Sequence, residues 1–338
     1  MAIRVAVDAM GGDRAPAVVV EGAVQACRGA DGRLHVLLFG DETEVGRELE
    51  NQGVRDLPIE LVHAPERIGM GESPAAAVKT KRQSSIHLGL GAHLQGAADA
   101  FVSAGNTGAV MAASLFILGR LPNVARPAVI GFFPTTRGFC IVLDIGTNVD
   151  CRPEHLVQFA RMGAIYCEHV LKRPDPVVAL LNIGEEPGKG NDQVKAAFDL
   201  LQREEGLNFR GNVEGRDVLQ HAADVVVCDG FVGNVMLKLG ESVLPVLGRL
   251  IGAEMAVLGY SDEQKGLVMN VLGRVKGRFD PDEYGGAPLL GVDGNVLIGH
   301  GGSSAKAIAR MITTAAEMVE QDVRASIAQA FQARAASA

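Results

Sequence analysis

The apolar positions of this chain repeat one unit: a short aliphatic, β-branched run, a glycine-containing loop, then a segment with helical spacing. Ile3 to Val7 leads into Asp8-Ala-Met-Gly-Gly-Asp13, with Pro16 near the start of a helix. Ala100 to Val102 leads into Ser103-Ala-Gly-Asn-Thr-Gly108 and a helix to about Leu118. Cys140 to Ile145 leads into Gly146-Thr-Asn148, and Pro153 opens the next helix. Val177 to Ile183 precedes Gly184-Glu-Glu-Pro-Gly-Lys-Gly-Asn191, and Val225 to Cys228 precedes Asp229-Gly-Phe-Val-Gly-Asn234. Val296 to Ile298 precedes Gly299-His-Gly-Gly-Ser-Ser304 and a long alanine-rich helix. Strands alternating with helices in this way predict an α/β fold with a doubly wound, mainly parallel sheet.

In such sheets the loops leaving the carboxyl ends of the strands bind the ligand. The six loops are therefore expected close together, in a single catalytic unit over 1–331 made of two lobes around a cleft. No linker separates independent domains, and the alanine-rich tail 332–338 is expected to fray. Lys238 to Asp280 breaks the pattern. Leu239, Val243, Leu247, Leu250, Ile251 and Leu258, then Leu267, Val268, Val271, Leu272 and Val275, mark two amphipathic helices. Gly259-Tyr-Ser-Asp262 is the turn of this projecting hairpin, and Pro245 marks a kink or a late start of its first helix.

Composition narrows the classes. Hydrophobic residues at 47% and charged residues at 21% describe a globular chain rather than a disordered one. A net charge of −8 and the absence of tryptophan speak against nucleic acid as a partner. Five scattered cysteines with no CxxC pair suit reduced thiols in a cytoplasmic protein. The opening run Met1 to Asp8 reads as a strand, not a leader, and no 18-residue apolar stretch spans a membrane.

The chemistry written in the loops suits an anion. Glycine loops that open helices aim unpaired N–H groups and the positive end of the helix dipole at a phosphate. Any one of them serves equally as an ordinary strand-to-helix turn; six together, several with Asn, Thr or Ser beside the glycine, favour the ligand reading. The candidate phosphate contacts are Gly11, Gly12 and Asp13 in the first loop and Gly105, Thr107 and Gly108 in the second. Gly146, Asn148 and Gly233 follow, then His300 and Ser303. Asn106, Asn148 and Asn234 each sit beside glycine after a strand, as turn residues and caps or as donors to phosphate or an oxyanion. Lys189 is either a solvated lysine or the cation of the site. Asn106, Asn234 and Lys189 are the candidate catalytic residues.

Familiar signatures are missing. Gly184 to Gly190 is not a Walker A loop, since three residues separate its first two glycines and no Ser or Thr follows the lysine. Gly69-Met-Gly71 and Gly299-His-Gly301 are incomplete dinucleotide fingerprints, and neither GxSxG nor HExxH occurs. No cofactor and no metal is expected. Lys79, Lys81 and Arg82 form a positive cluster in an acidic chain, a solvated helix face or a docking patch for an acidic protein.

Read together, the segments resemble the acyl-carrier-protein:phosphate acyltransferases of bacterial phospholipid synthesis. The resemblance rests on Val7 to Asp13, Val102 to Gly108, Pro153-Glu-His-Leu156 with Gln158-Phe-Ala160, Leu180 to Gly184, Gly188-Lys-Gly-Asn191, Gly211-Asn-Val-Glu214, Asp224 to Asn234 and Tyr284-Gly-Gly-Ala-Pro-Leu-Leu-Gly291, in that order. Gly301-Gly-Ser-Ser304 departs from it, His-Gly-Ser-Ser being expected. The resemblance implies a Rossmann-like, phosphotransacetylase-like fold and a homodimer. It also implies that inorganic phosphate attacks the thioester of a long-chain acyl carrier protein. Phosphate is already an anionic nucleophile and a thiol leaves easily, so positioning and oxyanion stabilisation remain for the protein. Competing readings are a phosphate acyltransferase using coenzyme A thioesters, a metal-dependent decarboxylating dehydrogenase and a non-enzymatic acyl-lipid binder. The dehydrogenase wants carboxylates one helical turn apart, and none occur between Asp217 and Tyr260. Near the hairpin turn, Met255, Val257, Leu258 and Tyr260 form an apolar group expected to touch a membrane weakly, or to complete a dimer contact.

Overall fold

Parallel strands buried on both faces need continuous apolar runs, and the Val- and Leu-rich segments supply them. The computed structural model describes residues 2–54, 56–278 and 284–337. Its first half comprises β1 (Ile3–Asp8), α1 (Ala17–Gly29), β2 (Leu34–Gly40), α2 (Glu42–Asn51), β3 (Ile59–His63), α3 (Pro74–Thr80), α4 (Ser85–Leu94), β4 (Ala100–Ser103), α5 (Thr107–Ile117), β5 (Ala128–Val129), β6 (Gly131–Thr135) and β7 (Gly138–Leu143). There follow α6 (Pro153–His169), β8 (Val178–Asn182), α7 (Asp192–Gln202), β9 (Phe209–Glu214), α8 (Gly215–Leu219), β10 (Val225–Val227), α9 (Gly230–Val257), α10 (Asp262–Arg278), β11 (Ala287–Leu290), β12 (Val296–Ile298), α11 (Ala305–Glu320) and α12 (Val323–Ser337).

All six expected strands form, but in two sheets rather than one. Contacts divide the chain into a first unit, Met1–Ile130, Ile165–Pro174 and Pro281–Ala338, and a second, Gly131–Ala164 and Asp175–Asp280. The first unit holds a seven-stranded sheet in the order β3-β2-β1-β4-β12-β11-β5. Strands β3, β2, β1, β4 and β12 run parallel, and β11 pairs antiparallel with both β12 and β5. Helices α1 and α11 press together at Gly22, where a Cβ would lie 2.5 Å from Ile308 Cβ.

The second unit holds a five-stranded sheet, β6-β7-β10-β8-β9, parallel except for the β6–β7 hairpin. Its core gathers Cys140, Val142, Ala179, Val213, Val226 and Cys228, with Phe133. The six glycine loops thus divide three and three between the units.

The hairpin differs in its boundaries. Helix α9 starts at Gly230 rather than Lys238, so the helix of the Val225–Asn234 unit and the first hairpin helix are one continuous element running through Pro245. The end of the expected hairpin, Phe279 and Asp280, lies outside the described residues. The tail expected to fray falls within α12 as far as Ser337; Ala338 lies outside the described residues. Among the described residues no helix is long and apolar enough to cross a membrane.

Candidate functional site

In the first unit, three loops meet at the carboxyl ends of β1, β4 and β12. The Gly11 backbone lies so close to Gly105 that a Cβ on Gly11 would stand 2.7 Å from Gly105 N and collide with Asp8 Oδ2. Gly12 takes φ +116°, a conformation glycine alone adopts without strain, and a Cβ there would lie 3.2 Å from Gly301 O. Asp13 N–H donates to Gly301 O at 2.8 Å, and the exposed Arg14 donates to Gly302 O and Ser303 O at 3.3 and 3.0 Å. The structure therefore brings Gly11, Gly12, Asp13 and Gly105 together with the His300–Ser303 loop. His300 is exposed; its Nδ1 accepts the Gly302 N–H at 3.2 Å and its carbonyl accepts from Ser303 N–H. Thr107 is the exposed first residue of α5, and Gly108 lets Pro74 approach, a Cβ there lying 2.6 Å from Pro74 Cγ. Ser304 caps α11 through Ala307 N–H.

Asn106 has a structural task. Its Oδ1 accepts Ala109 N–H at 3.1 Å as the cap of α5, and its Nδ2 donates to the carbonyls of Gly69, Met70 and Glu72 at 3.0–3.2 Å. Buried and so engaged, it pins the Gly69–Glu72 loop. The loop has a second tie: Lys81 Nζ donates to Arg67 O at 2.9 Å and to Glu72 Oε1 at 2.5 Å. That lysine, with the Gly69 N–H bond, holds the Glu72 carboxyl below its usual range. Lys81 is therefore tied to the loop it faces, whereas Lys79 and Arg82 remain exposed, with no ion pair among the described residues.

In the second unit, the Gly146–Asn148 and Asp229–Asn234 loops meet over Asp144. Gly146, at φ +144°, faces Asn234, whose Cβ would lie 3.7 Å from a Cβ built on that glycine. Asn148 donates to Asp144 Oδ2 from its backbone N–H at 2.6 Å and from Nδ2 at 3.0 Å, and its carbonyl accepts Gly230 N–H at 2.8 Å. Asp229 caps α9 through Val232 N–H at 2.8 Å, and Gly233 is packed against the Asp144 carbonyl so closely that any Cβ would collide. Asn234 is exposed on the first turns of α9, its amide without a hydrogen bond among the described residues.

The Gly184–Asn191 loop is fastened separately. Asn182 Nδ2 donates to Lys189 O at 3.1 Å, Asn212 Nδ2 donates to Glu186 O at 3.0 Å, and Asn191 caps α7. Asn212, in the Gly211–Glu214 motif, thus has a role that sequence reading left open. Lys189 lays its stem over Gly184, where a Cβ would lie 2.9 Å from Lys189 Cγ, and keeps its ammonium exposed without an ion pair among the described residues.

The thiols of Cys228 and Cys27 are both held protonated. Cys228 is buried beside Asp144, and burial, then the charges of Asp229 and Asp144, push its thiol well above the ordinary value. Burial raises Cys27 to about 11. Thr135 Oγ1 does hydrogen-bond His221 Nδ1 (2.9 Å), whose Nε2 lies 3.4 Å from Asp224 Oδ1, but this group sits at the amino ends of β7 and β10. Sequence reading missed Asp8, Arg14 and Asp144; a carboxylate closing a strand just before glycine was the available signal for the two aspartates.

This architecture is that of phosphotransacetylases. The fold matches a EutD phosphotransacetylase from Staphylococcus aureus with TM-score 0.60 over 94% of each chain at 18% identity. A branched-chain phosphotransacylase from Enterococcus faecalis gives the same score at 14% identity, over 94% of this chain and 99% of the other. At such identities the likeness concerns the fold. Sequence goes further: the family model described as fatty acid synthesis protein matches residues 3–326. A phosphate acyltransferase of Salinibacter ruber is 55% identical over 99% of both chains, and that of Chlorobaculum parvum 48% over 96% of this chain and 98% of its own. The chain belongs to the phosphate acyltransferase family, enzymes of fatty acid and phospholipid synthesis.

Proposed function

We propose that the acyl donor is a long-chain acyl group on acyl carrier protein, and that inorganic phosphate takes the acyl group from it for phosphatidic acid synthesis. A phosphate oxygen attacks the thioester carbonyl, the carbon–sulfur bond breaks, and acyl phosphate and the carrier thiol are released. The observation that carries this reading is a set of glycine loops at helix N-termini. Such loops suit an anionic substrate that is its own nucleophile. The glycine loops of each unit are candidate phosphate cradles; Lys189 and Asn234, exposed and unspent, are the candidates for negative charge developing on the carbonyl oxygen. Lys79 and Arg82, exposed and unpaired, favour an acidic protein as donor over a coenzyme A thioester. The apolar stripes of α9 and α10 are the dimer surface of this reading, and the hairpin tip its weak membrane contact.

The test incubates the protein with a long-chain acyl carrier protein or the matching coenzyme A thioester, with and without phosphate, and assays acyl phosphate. Phosphate-dependent product, formed faster from the carrier, is expected. Faster turnover of the coenzyme A thioester would replace the donor, and product release indifferent to phosphate would sink the reading.

A further inference from the structure

Asp8 has no place in the chemistry so far, yet it is the carboxylate on which the first unit's loops rest. It closes β1 and is 2% exposed, and it has no ion pair among the described residues. Burying a carboxylate without a cation is expensive, so the group must be held by donors. Oδ2 accepts the Ser103 hydroxyl at 2.6 Å and Oδ1 accepts Met10 N–H at 3.1 Å. Gly11 N–H donates to the Asp8 main-chain carbonyl at 3.5 Å, and Ser85 and Gly11 both favour the charged carboxylate. Ser103 Oγ in turn accepts Gly105 N–H at 3.0 Å, carrying the contact into the second loop. A Cβ on Gly105 would stand 3.0 Å from Asp8 Oδ2, and one on Gly11 would collide with it. Both glycines are thus spent on letting two loops close over one carboxylate.

The second unit repeats the construction. Asp144, directly after β7, is fully buried; it accepts two bonds from Asn148, and a Cβ on Gly230 would stand 2.7 Å from its Oδ2. In both units a carboxylate at the end of a strand lies under a glycine loop and the start of a helix.

We propose that Asp8 is a positioning residue: its carboxylate holds the Asp8–Asp13 and Ser103–Gly108 loops in the register that aims their backbone N–H groups at phosphate. This rests on reading those loops as a phosphate cradle. The role separates from a merely structural one by its sign. Burial raises the Asp8 pKa over the lowering effect of its hydrogen bonds. A group raised in the folded state contributes stability that is present below the unfolded pKa and lost as pH rises through the folded pKa. Wherever Asp8 is ionised in the folded protein its burial therefore costs stability, and a neutral amide avoids that cost. The amide, however, sets an N–H₂ donor against the Ser103 donor. The groups that bear on the Asp8 carboxylate among the described residues are neutral: the Ser103 and Ser85 hydroxyls and the Met10 and Gly11 N–H groups.

The experiment compares the full-length parent with Asp8→Asn and Ser103→Ala, measuring Tm at pH 8, the phosphate dependence of turnover, and amide hydrogen exchange at residues 10–13 and 104–108. For Asp8→Asn, kcat/KM for phosphate should fall about 10- to 100-fold, the loss expected of a small misplacement. Tm should be equal or higher, and exchange in both loops faster. Ser103→Ala should move exchange at 104–108 in the same direction, and the two substitutions together should lose less than the product of their separate effects. Three results overturn the inference: phosphate kinetics within twofold of the parent, unchanged loop exchange, or activity lost only in step with Tm. A parent enzyme with no saturable phosphate dependence would instead expose the cradle reading as wrong before any variant is made, and the inference would fall with it.

Discussion

Two polar side chains beside glycine, Asn106 and Lys189, differ in what their polar atoms already hold. Asn106 caps α5 and gathers three carbonyls, whereas the Lys189 ammonium is exposed and unpaired among the described residues. The consequences of removing them should diverge. Asn106→Ala removes a helix cap, worth about 1 kcal/mol, and leaves three carbonyls without their donor. A fall in Tm of several degrees is expected, with kinetic loss following from a displaced Gly69–Glu72 loop; an unchanged Tm would return Asn106 to the ligand. Lys189→Ala should leave Tm within a degree or two and lower turnover by about 100-fold, the loss typical of a removed oxyanion donor. Turnover within twofold of the parent would make Lys189 a solvated surface lysine. Spacing alone does not separate the two residues: both sit in glycine loops after strands, and only the positions of neighbouring carbonyls do.

At the scale of elements, α3 and the loop before it illustrate how a charge run is divided. Lys81 turns back to Glu72 and Arg67, while Lys79 and Arg82 point to solvent. Reversing Lys79 and Arg82 to Glu should slow reaction with an acyl carrier protein far more than with a small acyl thioester, and added salt should imitate the change in the parent. Equal losses on both donors would remove the docking role. Lys81→Glu belongs to another class, since it opposes Glu72 and should cost stability. The hairpin has a similar division. Val257 and Leu258 are 80% and 65% exposed, but Met255 is buried and Tyr260 half-buried, its N–H donating to Met255 O. The expected four-residue membrane group is therefore reduced, Met255 turning inward at the tip. Helical spacing indicates that an apolar stripe exists; whether the last turn of α9 folds over its own methionine depends on the Leu258–Ser261 connection.

At the scale of the whole molecule, α9 and α10 leave Leu239, Val243, Leu247, Leu250, Leu267 and Val271 exposed in the single chain, more apolar surface in one place than a monomer ordinarily shows. A dimer is expected in solution: Leu250→Asp should shift sedimentation to the monomer, while Leu258→Asp should weaken liposome binding and spare the dimer. If Leu258→Asp dissociates the protein, the tip belongs to the dimer contact; if it binds liposomes as the parent does, the membrane contact is wrong. Local order alone accounted for much of this protein. The six strands, the glycine loops that follow them, the hairpin and the family resemblance were all legible, because strand, turn and helix signals act between residues close in sequence. The division into two sheets was not, because an apolar run specifies burial but not its neighbour in the sheet: Val225–Val227 pairs with β7 and β8 while the similar Val296–Ile298 pairs with β4 and β11. Nor were Asp8 and Asp144 legible as the floors of their loops. A strand-ending aspartate becomes a buried anchor only when Ser103 arrives from 95 residues away, or when Gly230 and Gly233 bring the start of α9 over Asp144. Sequence determined which residues could meet an anion; tertiary structure decided which were already occupied, since a hydrogen-bond donor once satisfied within the protein has little left to offer a substrate.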